Sequence, residues 1–185
     1  MIKFYTFFLY IISFALLSAS PAPHLFIIRQ GKVDFSSNAP LELIKASSSR
    51  LSGVIDTEKR TFAFKIPVSS FEGFNSALQR EHFNENYMES KKYAEATFAG
   101  KIIETIDFNT DGEYTVRAKG KLNIHGVEQE RIIKSKLKIG NGKIHVQTQF
   151  PVPLSDHNIT IPKIVSQKIA TEIEVLVNAE FERKK

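Results

Sequence analysis

The strongest constraint in the sequence is a two-residue alternation of apolar and polar side chains across residues 113–154. Alternate side chains of a β-strand point to opposite faces, so this pattern predicts strands with one apolar and one polar face. The alternation is interrupted at His125-Gly126 and at Gly140-Asn141-Gly142. Asn-Gly favours a tight hairpin turn, because both central residues of a type I′ turn have positive φ. The segment is therefore predicted to be an antiparallel meander of three long strands.

Extended segments are also predicted on both sides of this meander. They lie at residues 25–28 and 33–35 around Gly31, and at 41–46, 51–55, 60–66, 96–106 and 169–181. Between two of them, residues 74–88 carry apolar side chains at three- and four-residue steps, which predicts one short helix. No repeat or linker divides the chain, so we expect one domain after the N-terminal segment.

Residues 1–20 have the composition of a secretory signal peptide. Lys3 supplies a positive start, residues 4–17 are almost wholly apolar, and Ser18-Ala19-Ser20 supplies small residues. A retained membrane anchor is the alternative, but the apolar run is shorter than the ~20 residues that a spanning helix needs. We expect residues 1–20 to be a signal peptide and residues 21–185 to form one exported domain, periplasmic or secreted.

The composition indicates a dry interior that no disulfide stabilises. The chain has 15 Phe, no Trp and no Cys, so its apolar bulk comes largely from rings without a polar group. The formal net charge is +5, yet lysines alternate with glutamates along the strands instead of forming a basic patch. Nucleic-acid binding, which uses clustered Lys and Arg, is therefore not expected.

About eight strands with one apolar face each can bury that face in a two-sheet sandwich or in a closed barrel. An eight-stranded barrel has an interior that side chains just fill, or that holds one small ligand. Small residues on the apolar faces either leave room for a ligand or allow a strand to coil sharply and a sheet to pack closely against its neighbours. Both interpretations remain open for these residues: Gly53, Ala96, Gly100, Ala118, Gly120 and Ala179.

Three ordered motifs carry a resemblance to a known family. They are residues 81–90 with Lys92-Tyr93 and 96–100, residues 120–127, and Leu154-Ser155-Asp156 with Ile161-Pro162 and the closing strand. Together they resemble the YceI-like lipid/polyisoprenoid-binding proteins across essentially the whole mature chain. Ala94 departs from the family, which commonly has Pro after the tyrosine, and this questions the local turn. The resemblance implies an extended, lipocalin-like barrel whose apolar cavity holds an isoprenoid chain, usually in an exported protein.

We therefore predict an all-β fold with one short helical segment: an extended antiparallel eight-stranded lipocalin-like barrel with an apolar internal cavity. The predicted partner is a polyisoprenoid or related lipid, such as an isoprenoid lipid or a quinone tail, and transient membrane contact is compatible with such a cargo. The oligomeric state stays open. Each predicted ligand-binding residue is also compatible with plain core packing; they are Phe62, Phe64, Phe98, Ile102, Tyr114, Val116, Leu122, Ile133, Leu137, Val146, Phe150, Ile173, Val175 and Val177.

Polar side chains suggest little chemistry beyond binding. His82 and His125 could contact a polar head group at the barrel mouth, although His125 is better explained as a turn residue. Asp156-His157 fits a capping role in a turn. Neither metal-ligand spacing nor a nucleophile motif is found, so no catalytic residue, metal or other cofactor is expected.

Two alternatives share the main sequence features. An outer-membrane β-barrel has the same export signal and alternation. It also needs aromatic girdles around an apolar band, and the sequence shows no such girdles. An enzyme acting on a prenylated substrate needs an inward acid or base, for which Glu104 is the candidate.

Overall fold

The computed structural model describes residues 24–184, so the predicted signal peptide lies outside the described residues. One α-helix, α1 (Ala77–His82), continues as a π-helical turn (Phe83–Tyr87), and 3-10 helices lie at Val68–Ser70, Leu154–His157 and Lys163–Val165. The strands of this part of the chain are β1 (Leu25–Asn38), β2 (Leu43–Ser48), β3 (Ser52–Asp56), β4 (Thr61–Pro67), β5 (Glu95–Ile102), β6 (Gly112–Ile124), β7 (Val127–Gly140), β8 (Lys143–Pro153) and β9 (Glu172–Arg183).

The described strands close into an antiparallel barrel. From β3 to β9 each strand pairs with the next, and β9 pairs with β1 along most of its length. The other edge of β1 pairs with both β2 and β3: Val33 lies opposite Ser48, and Ile27 lies opposite Val54. These two pairs are six residues apart on each side, so β2 and β3 form one interrupted strand. The predicted eight-stranded barrel is confirmed in residues 24–184.

The central meander has the predicted boundaries and faces. On β6 and β7, Val116 pairs with Ser135, and Ser135 in turn pairs with Thr148 of β8. Inward residues of these strands are buried or half-buried, while the lysines and glutamates between them are exposed. Asn141 and Gly142 have φ values of 53° and 71°, as the predicted hairpin turn requires.

Several predicted boundaries differ from the structure by a few residues, and three of the differences affect the interpretation. β1 is one strand of 14 residues, because β9 pairs with it on both sides of Gly31 and a bulge between Ile28 and Gln30 absorbs the irregularity. Helix α1 begins at Ala77, because the Ser76 hydroxyl accepts a hydrogen bond from the Gln79 N–H at 3.1 Å and caps the helix there. β5 ends at Ile102, earlier than predicted.

The two ends of the barrel differ in packing. At the end where β1 begins and β9 finishes, called the closed end, Phe26, Ile55, Val116, Ile144 and Phe181 are at most 2% exposed. The opposite end, called the open end, is covered by the helical segment between β4 and β5 and by the segment between β8 and β9. Among residues 24–184, no helix is both long and apolar enough to cross a bilayer.

Glycines on the inner face serve close strand contact. Gly100 of β5 lies directly opposite Gly120 of β6. A Cβ atom on either would overlap a carbonyl oxygen of the neighbouring strand, and a Cβ atom on Gly53 would overlap the Phe64 ring. For these three residues the close-packing interpretation therefore holds, and the ligand-space interpretation is wrong.

Candidate functional site: an apolar cavity at the open end

A cavity of about 530 Å³ occupies the interior towards the open end of the barrel. This volume falls within the ~300–1,000 Å³ typical of ligand sites. Aliphatic and phenylalanine side chains provide most of its wall, and three of the small inward residues, Ala96, Ala118 and Ala179, lie on it. Such a surface offers a long apolar ligand dispersion contacts and removal from water, at about 0.8 kcal/mol per buried methylene group.

Four phenylalanines close the inner end of the cavity: the floor cluster, Phe62, Phe64, Phe98 and Phe181. Ring centroids lie 4.9 Å apart for Phe62–Phe98, 5.2 Å for Phe62–Phe64 and 5.8 Å for Phe64–Phe181. These separations fall in the range of favourable aromatic pairs. Phe62 is only 5% exposed and lies behind the cavity wall, which Phe64, Phe98 and Phe181 line.

A second group, the mouth cluster, consists of Phe35, Phe71, Phe74 and Phe83 and borders the outer part of the cavity. Phe35 of β1 contacts the other three, with ring centroids at 5.3 Å from Phe71, 5.9 Å from Phe74 and 5.4 Å from Phe83. Those three come from the segment between β4 and β5, so this cluster fastens the helical segment to the barrel. The apolar wall thereby continues out to the opening.

Polar side chains concentrate around the opening. Gln79 donates a hydrogen bond from Nε2 to Oε1 of Glu42 at 2.9 Å, and His82 and Lys168 also line this part of the cavity. Burial raises the pKa of the Tyr87 phenol, so this lining residue remains a neutral O–H donor. The opening can thus hydrogen-bond a polar head group while the interior holds an apolar chain.

Two hydroxyl groups lie on the wall deeper inside. Ser135 of β7 and Thr148 of β8 form a cross-strand pair, and both line the cavity. Thr148 donates its hydroxyl hydrogen bond to the carbonyl oxygen of Lys134 at 2.9 Å. Ser135 is 6% exposed. This pair is a small polar area on a mostly apolar wall.

Two histidines of the open end, His125 and His157, connect parts of the barrel from behind the cavity wall. His125 Nε2 lies 2.7 Å from Oε2 of Glu89, its Nδ1 lies 3.1 Å from the carbonyl oxygen of His157, and the Tyr93 ring packs edge-on against it. Glu89, Tyr93, His125 and His157, here the histidine corner, join the end of the helical segment to the β6–β7 turn and the helix after β8. A Cβ atom on Gly126 would overlap the Tyr93 ring, which explains the glycine after His125.

His157 is the most deeply buried member of this corner, with no exposed surface. Its Nδ1 lies 3.1 Å from the carbonyl oxygen of Val127, so Nδ1–H donates and holds the strand after the turn. Burial lowers the pKa of the His157 ring, which favours the neutral form. A buried neutral histidine with a backbone hydrogen bond is a structural residue of this end.

The structure divides the fourteen predicted ligand-binding residues between the two ends. Five lie outside the cavity wall, in or against the closed-end core: Phe62, Ile102, Tyr114, Val116 and Leu137. The other nine line the cavity: Phe64, Phe98, Leu122, Ile133, Val146, Phe150, Ile173, Val175 and Val177. Contact between these nine and a ligand stays a prediction.

Sequence reasoning missed the mouth cluster, which lines the cavity without belonging to the central meander. The excess of phenylalanine was the available signal, because Phe74 and Phe83 fall in the predicted helix and Phe71 lies just before it. Of the two histidines expected near a head group, His82 lies at the opening, whereas His125 lies in the histidine corner. The turn at Ala94 forms without proline, and the Ala94 carbonyl accepts a hydrogen bond from the Val68 N–H at 2.9 Å.

The expectation that Glu104 points inward is wrong. Its Oε2 accepts a hydrogen bond from the Arg117 backbone N–H at 2.6 Å, and its Oε1 lies 2.7 Å from Arg117 Nε on the outer surface. These hydrogen bonds, the backbone one first, lower the pKa of the Glu104 carboxyl. Within residues 24–184, no group of three or more His, Cys, Asp or Glu side chains is arranged to hold a metal ion.

Comparison with known proteins agrees with this architecture. A polyisoprenoid-binding domain from Saccharophagus degradans implicated in plant cell wall breakdown superposes with a TM-score of 0.72 at 16% identity, covering 88% of this chain and 99% of that one. Burkholderia cenocepacia BcnA gives a TM-score of 0.67 at 17% identity, covering 81% of this chain and 95% of its own. The Campylobacter jejuni YCEI protein gives 0.57 at 19% identity, covering 73% and 82%. At these identities the similarity establishes the fold.

No curated protein matches the chain. The family model for the YceI-like domain, however, matches residues 30–181, which is nearly all of the barrel. The chain therefore belongs to the YceI-like domain family.

Proposed function

We propose that this protein binds or carries an isoprenoid lipid or a quinone tail in its apolar cavity, without catalysing a reaction. The observation that carries the proposal is the cavity of about 530 Å³, lined by aliphatic and phenylalanine side chains and bordered by polar groups at one end. A prenyl lipid has the same arrangement, with a long apolar chain and a polar head group at one end. The polyisoprenoid-binding domain from Saccharophagus degradans, with the same fold, adds support.

The charges on the outside of the barrel favour the cavity as the lipid-binding surface. Lys119 pairs with Glu130 at 3.1 Å and Lys121 with Glu128 at 2.6 Å, across β6 and β7 on their exposed face. An outer-membrane barrel needs an apolar band at that position. The outward position of Glu104 also removes the acid or base that sequence reasoning offered to an enzyme.

We further propose that residues 1–20 direct export and are then removed, leaving a periplasmic or secreted domain that begins near residue 21. The charged start, apolar run and small residues of this segment support the proposal. Intact-mass measurement of the protein recovered from the envelope or medium tests it. Removal of about 20 residues is expected; a full-length chain retained in the cytoplasm would contradict export.

Lipid binding is tested on protein purified without detergent. Organic extraction followed by mass spectrometry is expected to yield a prenyl lipid in near-stoichiometric amount. Protein stripped of lipid should then take up geranylgeraniol from a cyclodextrin complex, while a lipid-free protein with no apolar cavity serves as the control. Repeated recovery of empty protein that also fails to take up the added prenyl alcohol would refute the proposal.

A further inference from the structure

Four large aliphatic side chains are exposed at the open end of the barrel. We call them the rim: Leu41 is 66% exposed, Leu43 47%, Leu78 58% and Ile164 93%. In the part of the chain that the structure describes, Ile103 and Ile132 are the other large apolar residues with this degree of exposure. Exposed aliphatic residues are therefore concentrated at one end of the molecule.

Hydrogen bonds hold the three segments that carry the rim next to one another. The Leu41 N–H donates to the carbonyl oxygen of Gln167 at 2.9 Å, which joins the β1–β2 turn to the segment after Ile164. Asn75 Nδ2 donates to the carbonyl oxygen of Leu43 at 3.1 Å, which joins β2 to the start of the helical segment. Leu78 itself lines the cavity, as does Val165 beside Ile164. The rim therefore surrounds the opening.

Two lysines accompany these aliphatic residues. Lys163 precedes Ile164 and Lys168 follows it by four residues; both are exposed, and neither forms an ion pair with a carboxylate of residues 24–184. Glu42, Glu81 and Glu172 also lie at this end, so the net electrostatic attraction for an anionic surface is modest. Exposed aliphatic side chains beside lysines match an interfacial site, where methyl groups enter the headgroup region and ammonium groups meet phosphates.

We propose that the rim docks onto a phospholipid bilayer that contains anionic lipids, with the cavity opening facing the bilayer. The inference rests on the proposed function for the identity of the cargo, because an isoprenoid chain dissolved in the bilayer can enter the cavity without crossing water. A second copy of this chain suits the rim less well. A symmetric contact would bring Lys163 and Lys168 towards the same charges on the partner.

The absence of tryptophan from the sequence allows a direct test of contact. Ile164→Trp places a single tryptophan on the rim, and Ile132→Trp places a matched one on the outer face of β7, where Ile132 is 57% exposed. Both proteins are mixed with vesicles of phosphatidylglycerol and phosphatidylethanolamine, with and without brominated acyl chains. A blue shift and bromine quenching are expected for Ile164→Trp alone. No change in either variant, or equal changes in both, would overturn the proposal.

Loss of binding is tested by vesicle co-sedimentation of Ile164→Glu and Ile132→Glu. Ile164→Glu is expected to lower the partition coefficient at least about tenfold, because a charged side chain replaces the aliphatic one that would enter the bilayer. Ile132→Glu is expected to leave the partition coefficient unchanged. This result supports docking whether or not prenyl uptake occurs. Wild-type protein that takes up geranylgeraniol from cyclodextrin but never sediments with vesicles overturns docking and leaves the proposed function standing. A blue shift of Ile164→Trp with protein concentration alone identifies a second copy and also overturns it.

Discussion

The floor cluster and the mouth cluster contain the same residue type in different settings. In the floor cluster, strands β4, β5 and β9 contribute all four rings; Phe62 and Phe181 are 5% and 1% exposed, and Phe64 and Phe98 are half-buried. In the mouth cluster only Phe35 comes from a strand; Phe71 is 7% exposed, and the other three rings are half-buried beside the cavity. Rings supplied by strands that face one another across the interior close the barrel, whereas rings supplied by a covering segment leave space beneath it.

Because of this difference, residues that stabilise the fold and residues that can bind a ligand lie at opposite ends of the barrel. Residues of the closed end are surrounded by other side chains, so they contribute mainly to the free energy of unfolding. Residues around the cavity lack neighbours on one side and have dispersion contacts to offer a ligand. We therefore expect substitutions at the closed end to change stability, and substitutions at the open end to change affinity for a prenyl lipid.

A matched pair of isoleucines tests this separation with the largest expected effect. Ile144 is fully buried at the closed end, and Ile173 lines the cavity. In lipid-free protein, Ile144→Ala should lower the free energy of unfolding by about 2–5 kcal/mol. Ile173→Ala should lower it by only about 1 kcal/mol, because fewer contacts are lost. Urea denaturation measures both, and equal losses would contradict the division.

Gly120→Ala tests whether the inward glycines provide close strand contact. The added methyl group would overlap the Ala99 carbonyl oxygen, so we expect a loss of about 1–3 kcal/mol in unfolding free energy. Gly140→Ala is the matched control on the same sheet, since its Cβ atom would lie 3.8 Å from Oδ2 of Asp111, an ordinary contact. Thermal denaturation of both variants is the measurement. Equal stability would show that the close approach of β5 and β6 is not required.

Val177→Phe tests the open end by filling it. Val177 lines the cavity between Val33 and Thr148, so the larger ring should occupy ligand space and reduce geranylgeraniol affinity at least about tenfold, or ~1.4 kcal/mol. Leu176→Phe, on the opposite face of the same strand, should leave the affinity unchanged. Titration from a cyclodextrin complex measures both proteins, with urea denaturation to confirm folding. Full affinity in Val177→Phe would place the prenyl site elsewhere.

The smallest expected effect is a pH dependence that originates in the histidine corner. Burial lowers the pKa of His157 in the folded protein, so below about pH 6.5 the unfolded chain binds the proton first. The stabilisation is present in full above that pH and declines as the pH falls towards the folded-state pKa. Urea denaturation at pH 7, 6 and 5 should show this decline in wild type and a flatter profile in His157→Gln. Parallel profiles would exclude His157 as the source.

The local part of this architecture could be predicted from the sequence. Alternation identified β6, β7, β8 and β9 and the side chains that face inward, and three motifs identified the family. The position of the empty space could not be predicted, because Phe62 and Phe64 share one strand face, yet only Phe64 reaches the cavity. Depth along the axis depends on the β1–β9 register that closes the barrel, a contact between distant parts of the chain.

Two other errors have similar physical causes. Continuing the alternation to Ile106 predicts an inward Glu104, but β5 ends at Ile102 and the alternation of faces ends with it. The sequence predicts two extended segments separated at Gly31, but β1 pairs with β9 on both sides of this glycine. In both cases the deciding contact is with a residue distant in sequence: Glu104 bonds to Arg117, and Gly31 pairs with Ala179.

The most direct test is a crystal structure of protein incubated with geranylgeraniol in the absence of detergent. We expect continuous density for one prenyl chain between the floor cluster and the mouth cluster, with its hydroxyl group near Gln79 and His82. A cavity filled only with water, while the lipid binds stoichiometrically at another surface, would contradict the proposal that this family member holds its cargo inside the open end of the barrel.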